Sequence, residues 1–270
     1  MILANAPSVE LLLVIGCVVA YLLPAVASAR LSVQNSQRAL GVAWLLHGLL
    51  LLGALVGALP RFGFAPALSV TAWLVLTVYA IEHQLFPQLR ARWALAGLGA
   101  CAVLLALVFP GTPLNKGSSP WLALHWALGI ASYGLFAAAV VHAWLMSRAE
   151  KQIRMAADGQ SGLPLLTLER ITFRFVSLGF ALLSATLLVG FVFGEALYGS
   201  IEMQKSIRWD HKTVFSVMSW LAFAALLAGR HFFGWRGKKA SRVLYAGSIL
   251  LLLAYVGSRF VLEVLLGRAA

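Results

Sequence analysis

Six histidines and two cysteines are the side chains of this 270-residue sequence best suited to hold a metal or cofactor. His125 and His211 stand out by position. His125 lies just after Trp121 at the start of one apolar run, and His211 follows Arg208-Trp209-Asp210 at the start of another, so both imidazoles fall at similar depth. Gly129, Ser132 and Tyr133 follow His125 at offsets of four, seven and eight on one helix face, leaving a slot of little bulk where a flat macrocycle could lie. Phe215 and Met218, below His211, could wall such a slot. Ordinary core histidines share this spacing, so a shared ligand and plain packing both stay open.

The segment that opens the second run has chemistry of its own. Asp210 is placed to cap a helix, and the free amides there, with Lys205, Arg208 and Lys212, also make an anion site. Arg259 adds to that charge or pairs with Glu263 four residues on. Carboxylates of an amphipathic ligand would fit this place. His47 sits well inside an apolar run and needs a hydrogen-bond partner or a ligand, with neither favoured. His83, His142 and His231 fall at run ends, where an imidazole reaches interfacial water. Cys17 and Cys101 read as small core residues, and with no C-x-x-C-H the chain carries no covalently attached haem. Paired carboxylates, a nucleophile elbow, a phosphate loop and a spaced metal cluster are all missing, so no enzymatic activity is expected.

The elements that position these residues follow from composition. A hydrophobic fraction of 61%, a charged fraction of 11% and a mean hydropathy of +0.88 exclude a soluble domain, in which about a quarter of residues are charged. Long unbroken apolar runs exclude a β-barrel. The sequence predicts an all-α, polytopic integral membrane helical bundle of about eight transmembrane helices, at 8–28, 40–59, 66–85, 94–110, 121–146, 171–195, 211–229 and 240–266. One transmembrane domain over 1–270 is expected. The first run lacks the positive flank of a signal peptide and reads as a retained span.

The net charge of +12 reports orientation rather than nucleic-acid binding, because no basic stripe is interleaved with aromatics. Of the 21 Lys and Arg residues, 14 fall in the odd-numbered connections and 7 on the other side, which predicts both termini outside. The connection from about 147 to 170, with Asp158-Gly-Gln-Ser-Gly-Leu-Pro164, reads as a surface loop facing anionic lipid. A transporter would show charges at the midplane of its spans, and no acidic residue lies there.

The run Trp209-Asp-His-Lys-Thr-Val-Phe-Ser-Val-Met-Ser-Trp220 resembles the Trp-Asp-Pro-Lys-Glu-Thr-Trp stretch of the cytochrome c assembly (CcsA/CcmC-type) haem-handling membrane proteins. The helix from His125 through Phe136 is similar to the one carrying their first outward-facing haem-ligating histidine. The eight-span layout resembles the YpjD/HemX-like branch, with a family-like core at about 120–265. The resemblance implies a bacterial inner-membrane protein that holds haem near the outer face, in cytochrome c maturation. A HemX-like regulator or scaffold of haem biosynthesis is the alternative. The implied partners are the bilayer and haem-pathway or cytochrome-maturation proteins.

Three departures from the family pattern bear on the site. The tryptophans that normally precede Trp209 are replaced by Phe191-Val-Phe-Gly-Glu, the second outer histidine near the C-terminus is missing, and His211 stands where proline is usual. The implied arrangement is therefore His125 and His211 as trans ligands of one iron, with their Nε2 atoms about 4 Å apart. Trp209 and Asp210 border the ring, and Arg208, Lys212 and Arg259 face the propionates. These departures put delivery of haem to an apocytochrome in question, while a haem or tetrapyrrole site stays implied.

Overall fold

The computed structural model describes residues 8–27, 31–56, 61–85, 92–113, 120–154, 165–193, 211–257 and 260–261. Eight helices fill these segments: α1 (Ser8–Val26), α2 (Val33–Val56), α3 (Phe64–Leu85), α4 (Arg92–Val108), α5 (Pro120–Arg154), α6 (Leu165–Val192), α7 (His211–Phe233) and α8 (Gly237–Leu252). A π-helical turn, Leu253–Gly257, continues α8. Two short strands, β1 (Arg61–Phe62) and β2 (Thr112–Pro113), pair antiparallel with Arg61 opposite Pro113.

Seven of the helices are long and apolar enough to cross a membrane, and α4 carries a shorter apolar stretch, Ala94–Val108. The fold is an all-α, multi-pass membrane bundle. Each expected span coincides with one helix, with ends moved by several residues. The fifth runs on to Arg154 and the eighth leaves α-helical geometry after Leu252.

Large apolar side chains such as Leu166, Phe191 and Val26 point outward, as they do where the solvent is lipid. Hydroxyls inside the spans cannot turn to water, and many are satisfied by their own helices. Thr71, Thr77, Ser147, Thr172, Ser184 and Thr186 each donate to the carbonyl four residues earlier, at 2.7–2.9 Å.

The chain divides into two compact units, Met1–Leu114 with Ala269–Ala270, and Asn115–Arg268. In the first, α1 packs on α2 and α4, and α3 packs on α4 and α2. Its centre is polar. His47 is fully buried, with Nδ1 3.0 Å from the Tyr21 hydroxyl and Nε2 2.8 Å from Ser69 Oγ. The Tyr21 ring lies on Gly99, where a Cβ would come within 2.7 Å of it. Beside this trio, Trp44 and Trp73 stack at 5.0 Å. Their indole N–H groups donate to Thr77 Oγ1 and the Trp44 carbonyl.

In the second unit α5 lies along α6 and α7 along α8, while α8 also meets α5 and α6 meets α7. This ring of neighbours sets α5 and α7 on the diagonal. Phe136 and Phe223 fill the centre, stacked at 3.7 Å with planes 5° apart. Gly179 and Gly247 admit these rings, since a Cβ at either would meet them at 3.2 and 2.8 Å. Ser219 donates to the Gly247 carbonyl and Trp220 to Ser184 Oγ, both at 2.8 Å.

At one end Glu169 binds Arg230, and Arg236 approaches to 3.5 Å. The guanidinium of Arg230 also lies 3.9 Å from the centroid of the Phe173 ring. Gly234, with φ +61°, ends α7 in the left-handed conformation that glycine adopts without steric cost.

Candidate functional site

The neighbours of His125 fix its direction. Counting along α5 from His125, the positions Ser132, Phe136, Ala139 and Ala143 are all buried, so His125 continues the inward line of the helix. It faces the end of α6. His125 Nδ1 is 3.1 Å from the Thr186 carbonyl oxygen. A carbonyl only accepts, so Nδ1 carries the proton and Nε2 keeps the lone pair.

Approach this close needs a gap on α6, which Gly190 provides. A Cβ there would come within 3.2 Å of His125 Cε1. One turn toward the helix end, Trp121 stacks on Phe193 at 3.9 Å with planes 8° apart, giving His125 an aromatic neighbour. Phe193 belongs to the segment that departs from the tryptophan-rich pattern.

The slot beneath His125 is used for packing. A Cβ on Gly129 would lie 3.6 Å from Thr186 Cγ2, and Ser132 turns back to the Gly129 carbonyl at 2.7 Å. These small residues let α6 come close, as small residues do between membrane helices. Tyr133 reaches the other way and donates to the Leu251 carbonyl, just before the π-turn. π-turns concentrate at functional sites, and here the turn occupies the end of α8 that Tyr133 holds.

His211 opens α7 at the same end of the unit. Eleven residues separate both His125 from Phe136 and Lys212 from Phe223, and those rings stack, so the start of α7 is level with His125. The inward line of α7 runs through Lys212, Ser219, Phe223 and Leu226, with Lys212 half-buried. His211 is exposed and lies about 80° around the helix from Ser219, at 100° per residue. Phe215 is half-buried and Met218 exposed. The structure thus gives His125 partners on α6 and sets Lys212, rather than His211, on the inward face of α7. Arg208, Trp209, Asp210 and Arg259 lie outside the described residues, as does the loop segment 158–164.

The other sequence expectations resolve individually. His47 has hydrogen-bond partners on both nitrogens, which answers the question its position raised. His142, expected at interfacial water, is only 3% exposed and sits against Phe175. His231 is exposed beside Phe232. Both cysteines are free thiols; Cys17 is buried, but Cys101 lies on the helix surface rather than in the core. Among the described residues no group of three His, Cys, Asp or Glu gathers to hold a metal ion.

Sequence reasoning missed Thr186 and Gly190, whose only signal was a pair of small residues four apart on α6. Their fit to a haem ligand is chemical. An imidazole tied at Nδ1 presents one fixed σ donor, the arrangement typical of metal-bound histidines.

The chain is similar to several known proteins. It is similar to an "Uncharacterized 28.8 kDa protein in nifR3-like 5'region" of Azospirillum brasilense, 32% identical over 214 residues, 74% of this chain and 76% of the relative. It is 29% identical over 200 residues to the "Inner membrane protein YpjD" of Escherichia coli, 73% of this chain and 72% of the relative. A shorter similarity, 34% identity over 91 residues, links it to the "Cytochrome c biogenesis protein CcsA" of Rippkaea orientalis, covering 34% of this chain and 25% of that protein. No solved structure matches. The family described as "Cytochrome C assembly protein" matches residues 5–266, nearly the full length, and the chain belongs to that family.

Proposed function

We propose that this protein holds haem in the bacterial inner membrane, near the outer face, as part of cytochrome c maturation, with His125 Nε2 as a nitrogen donor to the iron. The observation that supports this reading is the bond from His125 Nδ1–H to the Thr186 carbonyl, which commits Nε2 to the lone pair. Haem supplies an iron centre that accepts axial nitrogen donors. The protein's part is to hold the imidazole at a fixed angle, offer the Trp121–Phe193 stack as an aromatic neighbour and supply positive charge.

In this reading His211, at the exposed start of α7, would supply a second nitrogen donor, while Trp209 and Asp210 would border the ring and Arg208, Lys212 and Arg259 would meet the propionates. The bias of basic residues favours an outside location for this end of the unit and for both termini. The protein presents haem without an active site of its own, and its partners are the bilayer and proteins of haem or cytochrome maturation. The name of the YpjD relative favours the inner membrane.

The test is the visible spectrum of detergent-purified protein, with His125→Ala and His211→Ala made separately. A Soret band with sharp α and β bands on reduction, lost or shifted to high spin in each variant, is expected. An unchanged low-spin spectrum in either variant removes that histidine from the site. A preparation that stays colourless after haem addition refutes haem binding and favours a membrane regulator of haem biosynthesis.

A further inference from the structure

We propose that Gly190 and the Thr186 carbonyl are the positioning elements that lock His125 in its Nδ1–H tautomer, and so set both the affinity and the redox poise of the iron it binds. This rests on the reading of His125 as a haem ligand. Three observations on α6 carry it. The Thr186 oxygen lies 3.1 Å from Nδ1. A Cβ at Gly190 would stand 3.2 Å from Cε1, closer than ordinary van der Waals contact, so the ring would have to shift by a few tenths of an ångström. A Cβ at Gly129, near the same part of the α5–α6 interface, would lie an ordinary 3.6 Å from Thr186 Cγ2, so the contact at Gly190 is the tighter of the two.

The physical consequence follows from the proton. An Nδ1–H that donates to a carbonyl gives the ring partial imidazolate character and raises the donor strength of Nε2. A stronger donor favours ferric over ferrous iron and lowers the midpoint potential. Without the bond the ring exchanges tautomers, and only one of them presents Nε2. Gly190 acts through His125, so it positions the ligand and touches no iron.

The experiment begins with the full-length apoprotein in detergent, labelled with 15N-histidine and assigned by His125→Ala. The expected result is that Nδ1 of His125 carries the proton. A proton on Nε2 overturns the proposal whatever any variant does, so the test survives even if Gly190→Ala fails to fold.

In folded Gly190→Ala the His125 signal should move toward mixed tautomers, haem affinity should fall about 10–100-fold, and the midpoint potential should rise. Gly129→Ala should leave all three unchanged. A Gly190→Ala protein with the wild-type tautomer, affinity and potential contradicts the inference while haem binding itself stands. Loss of haem binding in the wild type would instead refute the function on which the inference rests.

Discussion

Replacing His47 by leucine tests how a buried polar trio is maintained without water. His47 is fully buried and bonds two hydroxyls, Tyr21 at 3.0 Å and Ser69 at 2.8 Å. The two hydroxyls fare differently once the imidazole is gone. Ser69 can rotate to the carbonyl four residues earlier, as six other hydroxyls of this protein do, so its loss is small. Tyr21 cannot: its ring is held against Gly99, so its hydroxyl loses its His47 partner while staying buried. A stranded buried hydroxyl costs about 1–3 kcal/mol, against about 0.6 kcal/mol for an average hydrogen bond between membrane helices, so the stranding term decides.

His47→Leu should therefore lose about 1–3 kcal/mol, and adding Tyr21→Phe should restore more than half of it. The assay is reversible unfolding in mixed detergent and SDS, followed by circular dichroism. Additive losses, with the double variant weaker than either single one, would refute the reasoning.

Other expectations follow from close approaches and charge. Gly99→Ala should destabilise the first unit strongly, because its Cβ would meet the Tyr21 ring at 2.7 Å, whereas Gly97→Ala, with nothing within 4 Å, should stabilise by about 0.5–1 kcal/mol in the same unfolding assay. Glu169→Ala should cost more stability than Arg236→Ala, since the Glu169 side chain is 12% exposed and Arg236 66%. Equal melting temperatures for those two variants would contradict this ranking. A cytoplasm-only reporter fused after Ala270 should stay inactive, and activity there would reverse the proposed orientation.

Spans and facing directions were legible in the sequence to different degrees. The eight helices follow from apolar length alone, because the bilayer demands it. Which face of α7 turns inward does not. A helix surrounded by lipid is nearly as apolar outside as inside, so periodicity leaves His211 and Lys212 hard to separate, and the Phe136–Phe223 stack supplies the answer. The partners of His47 lie 26 and 22 residues away on other helices, beyond any local pattern. Gly129 and Ser132 were visible as small residues, but small side chains serve close helix packing as well as a ligand slot, and here Thr186 fills the space. His125 was legible because it lies at a helix start on the same line as Phe136. The carbonyl it meets belongs to α6 and carries no side-chain signature.

The central claim is that His125 provides a nitrogen ligand to haem iron, and chemical rescue tests it most directly. His125→Gly removes the imidazole and leaves a space that free imidazole can enter. Purified His125→Gly should lose the wild-type haem spectrum and regain it when imidazole is added, because the missing donor is replaced where it stood. A His125→Gly protein that keeps the wild-type spectrum without imidazole, or one that loses it and is not rescued, would contradict the account.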